Sequence, residues 1–141
     1  MKKIVVTIVF AVTILCVYFL VQGIKKEEAQ YGNTKLPEII VDSPRSGSVI
    51  QSPLMIRGKV KGSWFFEAVF PIVLKDNEGK EITSSHARAE GEWMTEGYVP
   101  FSAELLYPTQ KRGEAGFLVF KRDNPSGLPE NDASVSIPVI F

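Results

Sequence analysis

The sequence predicts an all-β domain, an antiparallel β-sandwich of about seven strands, preceded by one N-terminal transmembrane helix. Three observations predict it. An uncharged run opens the chain, from Ile4 to Ile24. From Ile39 onward, apolar residues recur at every second position and helical periodicity is hard to find. The alternating runs are short and are separated by Gly, Pro, Asn and Asp clusters.

The first run, IVVTIVFAVTILCVYFLVQGI, would span about 31 Å as a helix, the thickness of a bilayer's hydrocarbon core. A cleaved signal peptide has a shorter apolar region and a small-x-small site, and the nearest candidate, Glu27-Glu28-Ala29, lacks that pattern. Cys16 follows Leu15 inside the run, so it reads as a small apolar residue and not as a lipid-modified cysteine. An uncleaved anchor over residues 1–24 is the expectation. Lys2 and Lys3 on one side and Lys25 and Lys26 on the other give the positive-inside rule a slight preference for a cytoplasmic N-terminus. The remainder would then be extracytoplasmic. Residues 25–37, KKEEAQYGNTKLP, are polar and aperiodic and read as a linker. Residues 38–141 form the domain. With Cys16 the sole cysteine, no disulfide is available to it, and it must stand on its hydrophobic core.

Ile39 and Val41 begin the alternation, and Ser43 to Ser48 interrupt it. Leu54, Ile56, Gly58 and Val60 share one face of the next strand, with Arg57, Lys59 and Lys61 on the other. The stretch from Trp64 to Leu74, read as a strand, puts Trp64, Phe66, Ala68, Phe70, Ile72 and Leu74 on a core face and leaves Phe65 and Glu67 outward. Asp76-Asn77-Glu78-Gly79 is a turn signal. Glu81 to Glu90 alternates weakly, whereas Val99, Phe101, Ala103, Leu105 and Tyr107 alternate well. Gly116 to Lys121 is apolar on both sides. Val135, Ile137, Val139 and Phe141 end the sequence, and Pro138 between them marks an edge strand. Short strands with this turn spacing favour a sandwich of the immunoglobulin type.

Candidate chemistry is sparse. The 16 basic and 16 acidic residues balance, so no global field recruits nucleic acid. His86, the single histidine, falls on a polar strand face with Ser84 and Arg88 and reads as a solvated group. No nucleophile elbow is present, and one His with one Cys in the apolar run makes a zinc site improbable. No catalytic residue, metal or cofactor is therefore expected. A hydrolase would need carboxylates such as Glu67 and Glu92 to converge in a cleft. Arg57, Lys59 and Lys61 form an outward basic row, read as a solvated face that could also meet anionic polymers or lipid heads. The expected contact residues are Phe65, Trp93 and Tyr98. The last two lie in a polar, glycine-bearing segment, Glu92 to Tyr98, where aromatics can stack on sugars or anchor a partner. For Trp93 the favoured reading is that it plugs one end of the sandwich.

Several of these stretches also carry a family resemblance. Ser43-Pro44 with Gly47-Ser48-Val49, Ser52-Pro53-Leu54, Arg57 to Glu67, Asp76 to Gly79, Glu92 to Thr95, Val99-Pro100-Phe101, Asn124 to Glu130 and Ile137-Pro138-Val139 occur in order. Together they resemble the immunoglobulin-like domain of bacterial spore germination proteins, the second Gmad domain family, over roughly residues 38–141. The resemblance implies an immunoglobulin-like sandwich displayed on a bacterial cell envelope, without a catalytic role, and it supplies no ligand or functional residue. The expected function is a membrane-anchored, extracytoplasmic binding or adhesion module that contacts an envelope polymer or an envelope protein. The alternative is a structural accessory subunit of a membrane or germination-related complex.

Overall fold

The computed structural model describes residues 37–141. The expected anchor, Ile4 to Ile24, lies outside the described residues, as does the expected linker up to Leu36. Among the described residues no helix is long and apolar enough to cross a membrane. The strands are β1 (Ile39–Ser43), β2 (Leu54–Lys61), β3 (Val69–Asp76), β4 (Glu81–Ala89), β5 (Tyr98–Leu105), β6 (Ala115–Lys121) and β7 (Ser134–Ile140).

Alternation decides which side of each strand is wet. In β2, Leu54, Ile56, Gly58 and Val60 are buried, and in β5 Val99, Phe101, Ala103 and Leu105 are buried. The register pairs these sets across the ladder, from Leu54 opposite Leu105 to Val60 opposite Val99. A one-residue slip of either strand would turn its set to water, so burial fixes the register. Gly58 completes the inner row because a Cβ there would overlap the Ile40 carbonyl oxygen and press on the Phe101 ring.

The strands join in the order β1-β2-β5-β4-β3-β6-β7. The expected sandwich of separate sheets is thus one continuous antiparallel sheet, curled into a nearly closed barrel. Its two halves, β1-β2-β5-β4 and β3-β6-β7, keep the strand sets of an immunoglobulin sandwich. What fuses them is the β3–β4 hairpin, paired from Val69 opposite Arg88 to Lys75 opposite Glu81. Its turn is the expected one. Asp76 Oδ1 accepts from the Glu78 and Lys80 amides at 3.0 and 2.9 Å, and Gly79 takes φ +83°. The register pairs of β4 with β5 are Arg88 opposite Ser102 and Ala89 opposite Phe101, and farther along Ser85 Oγ donates to the Glu104 carbonyl at 3.2 Å. Closure comes from the segment after β1, where Ile50 donates to Ile140 and Ile140 to Ser48, at 2.8 and 2.9 Å. Val49 and Ile140 form a parallel bridge there. Beyond this contact β7 is a sheet edge, as Pro138 requires.

The interior is filled by aromatic rings in edge-to-face contact. Phe70 of β3 meets Trp64, Phe65 and Phe101 at centroid distances of 6.0, 5.3 and 5.0 Å, and Phe101 meets Phe120 of β6 at 6.2 Å. Such pairs add about 0.5–1.5 kcal/mol each beyond their area burial. Trp64 is buried as expected, but it sits on a 3₁₀ turn, Gly62–Trp64, and not on a strand. Phe65, expected outward, is buried at 6% exposure, whereas Phe66, expected inward, is 44% exposed. The 3₁₀ turn breaks the two-residue period before Phe65, so the extrapolated alternation inverts.

Tyr107, just past β5, packs its ring on Phe141 at 6.0 Å, and its hydroxyl is buried with no hydrogen-bond partner. Burial pushes its pKa up. A buried hydroxyl without a partner costs about 1–3 kcal/mol, while the ring contact survives its removal. Tyr107→Phe is therefore expected to stabilise the protein by about 1 kcal/mol. Urea unfolding of the two proteins side by side checks this, and a less stable variant contradicts it.

Candidate functional site

Antiparallel pairing brings the β2–β3, β4–β5 and β6–β7 connections to the same end of the barrel, with Pro37. The 3₁₀ turn is the post on which they meet. Gly62 donates to the Gly97 carbonyl at 3.1 Å, and the Asp123 amide donates to the Trp64 carbonyl at 3.0 Å. Trp64 Nε1 donates to Glu38 Oε2 at 3.0 Å, which ties the start of the domain to the same post. The carbonyl oxygens of Trp93 and Thr95 approach Gly62 so closely that any Cβ would overlap both. A glycine is required at that position for the β4–β5 loop to lie where it does.

After the post the chain reverses in a two-residue turn. Phe66 and Val69 exchange backbone hydrogen bonds at 3.0 and 3.1 Å, with Glu67 at φ 51° and Ala68 at φ 64° between them. Positive φ at both central residues is the type I′ hairpin geometry, which ordinarily selects Asn-Gly. Non-glycine residues there carry strain of about 1–2 kcal/mol each. The turn lifts Phe66 into solvent and returns Phe65 to the core.

The expected contact residues come together only in part. Phe65 and Trp93 line one groove of about 420 Å³, with Lys61, Gly62, Ser63, Met94, Thr95 and Glu96. Phe65 forms its floor from the buried side. Trp93 is half-buried and packs against the core, so it plugs the barrel end and also presents a face to the groove. Met94, 74% exposed, stands at the rim. Tyr98 opens β5 directly opposite Lys61. Its hydroxyl donates to the Pro37 carbonyl, and its ring lies 4.3 Å from Lys61 Nζ and 5.7 Å from Lys59 Nζ. Cation–π contacts at such an exposed site contribute about 0.5–1 kcal/mol each. Tyr98 therefore stands on the outer sheet face next to the groove, reached through Lys61. Lys59 and Lys61 join the site although the sequence shows them only as a basic row. The pairing of β2 with β5 was the missing signal.

Glu67 and Glu92 are both exposed, and among the described residues no charged side chain is buried. No cluster of three metal-ligating side chains occurs among the described residues. The site can offer stacking faces, an apolar floor and cations.

Residues 38–127 match Gmad2, the immunoglobulin-like domain of bacterial spore germination, and the chain belongs to this family. The matched span includes the groove and Tyr98, and it ends before β7. Comparison with curated proteins gives no match.

Two outcomes are expected from the local geometry. Ala68→Gly should relieve the turn and stabilise the protein by about 1 kcal/mol in thermal or urea unfolding. Gly62→Ala should displace the β4–β5 loop, destabilise by about 1–3 kcal/mol and shift Trp93 emission to the red. Wild-type emission and stability in Gly62→Ala would contradict the close approach.

Proposed function

We propose that this immunoglobulin-like domain is a membrane-anchored, extracytoplasmic, non-enzymatic binding module of the bacterial cell envelope. Anchoring is supported by the uncharged run from Ile4 to Ile24, and the envelope setting by the family's link to bacterial spore germination. The observation that carries the binding reading is the groove between Phe65 and Trp93, with Met94 exposed at its rim and Tyr98 beside it. An aromatic that is half-buried and rigidly backed loses little side-chain entropy on contact with a ligand, which makes it a favourable anchor. The non-enzymatic part is supported by the make-up of the groove, where Glu96 is the one carboxylate and is exposed, with no histidine or cysteine beside it to share acid–base work.

A second reading, a structural accessory subunit of a larger membrane complex, is favoured by the edge of β7. Its Ser134 to Ile137 stretch carries no charge and has no backbone partner on its outer side among the described residues. Unguarded edges of this kind accept a further strand.

Titration of the full chain in detergent with solubilised cell-wall polymer, followed by tryptophan emission, tests the binding reading. A saturable change is expected, weakened at least about tenfold in Trp93→Ala, which corresponds to about 1.4 kcal/mol. Circular dichroism checks that the variant keeps its fold. No change with wall polymer, together with one dominant cross-linked protein in intact membranes, would replace the binding reading with the subunit.

A further inference from the structure

We propose that the outer face of the β1-β2-β5-β4 half is a docking track for a linear phosphodiester polymer. The inference rests on the envelope-binding reading and names the chemistry of the ligand. Arg57, Lys59 and Lys61 project from one side of β2, at intervals of about 6.8 Å along the strand. β5 supplies the lateral neighbours, Ser102 opposite Arg57, Pro100 opposite Lys59 and Tyr98 opposite Lys61. Beyond β5 the row continues, because Ser102 is also opposite Arg88 of β4. Arg57 and Arg88 therefore flank a serine hydroxyl on one cross-strand line, about 10 Å apart at their Cα atoms.

Among the described residues these cations form no ion pair. The one ion pair between described residues, Lys111 with Glu114 at 3.1 Å, lies in the β5–β6 connection. The same half also carries carboxylates: Glu104, two residues along β5 from Ser102 and lining one shallow pocket with Arg88, Asp42 within β1, and Glu38, Glu81 and Glu90 at strand ends, with the Glu38 carbonyl accepting from the Lys61 amide. Asp42, Glu90 and Glu104 form no ion pair with Arg57, Lys59, Lys61 or Arg88. In a chain of zero net charge, these four cations, none in an ion pair among the described residues, share one side of the sheet. A second copy of the chain would meet the face with like charge, so self-association is disfavoured. An anionic polymer relieves the repulsion. Guanidinium groups bind phosphate oxygens bidentately, and lysines act as point charges. The regular interval suits phosphates joined through short polyols, whose apolar carbons can lie on Pro100, which is exposed between Lys59 and the next strand.

The test uses the full chain in nanodiscs of neutral lipid. The probes are poly(glycerol phosphate) of defined length, neutral dextran, and vesicles containing phosphatidylglycerol. Expected is saturable binding of poly(glycerol phosphate) at about 50 mM salt, with a log–log salt slope near about −3 for four neutralised phosphates. Dextran should not bind. The Arg57→Gln/Arg88→Gln variant should bind at least about tenfold more weakly, with its slope reduced to about −1.5. Both side chains are exposed, and circular dichroism verifies the fold. Unchanged affinity and slope in this variant overturn the proposal, as does equal binding of dextran. Equal, arginine-dependent binding of the vesicles overturns the polymer assignment in favour of lipid headgroups. Wall binding that is lost in Trp93→Ala but insensitive to the arginine pair overturns the track and leaves the envelope-binding reading standing.

Discussion

Everything at the candidate site depends on Phe70. Its ring is the hub of the edge-to-face contacts with Trp64, Phe65 and Phe101, and Phe101 passes the contact on to Phe120. Three of these rings come from strands β3, β5 and β6, which belong to different halves of the sheet. The other two come from the 3₁₀ turn and the residue that follows it. One cluster thus holds the halves of the barrel together and fixes the post that carries the connecting loops. Truncating Phe70 would leave a cavity and release the turn, with costs of about 3–5 kcal/mol typical for a buried phenylalanine.

Through that post, core packing becomes surface geometry. Trp64 holds Glu38 at the start of the domain and accepts from Asp123 at the start of the β6–β7 connection, while Gly62 admits the backbone of the β4–β5 loop. Trp93 is therefore backed by the core on one side and faces the groove on the other. Rigid backing is what separates an anchoring aromatic from a solvated one, because ordering it on binding costs little. The strained Glu67-Ala68 turn fits the same picture, since the cluster determines where Phe65 must lie and the turn yields to it.

The sequence made the strands readable where one face is buried and the other wet. In β2 and β5 the predicted inner rows, Leu54, Ile56, Gly58 and Val60 and Val99, Phe101, Ala103 and Leu105, are all buried. Asp76 to Gly79 was equally plain, because a side-chain acceptor and a positive-φ glycine define that turn chemically. From Trp64 to Val69 the period carried no information, since every residue but Glu67 is apolar and either phase looks buried. There the 3₁₀ turn reversed Phe65 and Phe66. The fusion of two sheets into one was also hidden, because it rests on how far β3 and β4 stay paired. Trp93 and Tyr98 stood out as aromatics in a polar loop. The neighbours that give Tyr98 its setting, Lys59 and Lys61, lie far off in sequence and meet it only through the register of β2 with β5.

Residue-resolved hydrogen exchange tests most directly whether the aromatic cluster governs the site. The amides to follow are Gly62, Phe65 and Thr95 at the post and its loop, beside those of β3 and β5. The cluster predicts that the post amides exchange through the same cooperative opening as the strands. It also predicts that Phe70→Leu lowers the protection of both sets together. Post and loop amides that exchange rapidly in the wild type, and ignore Phe70→Leu, would contradict it.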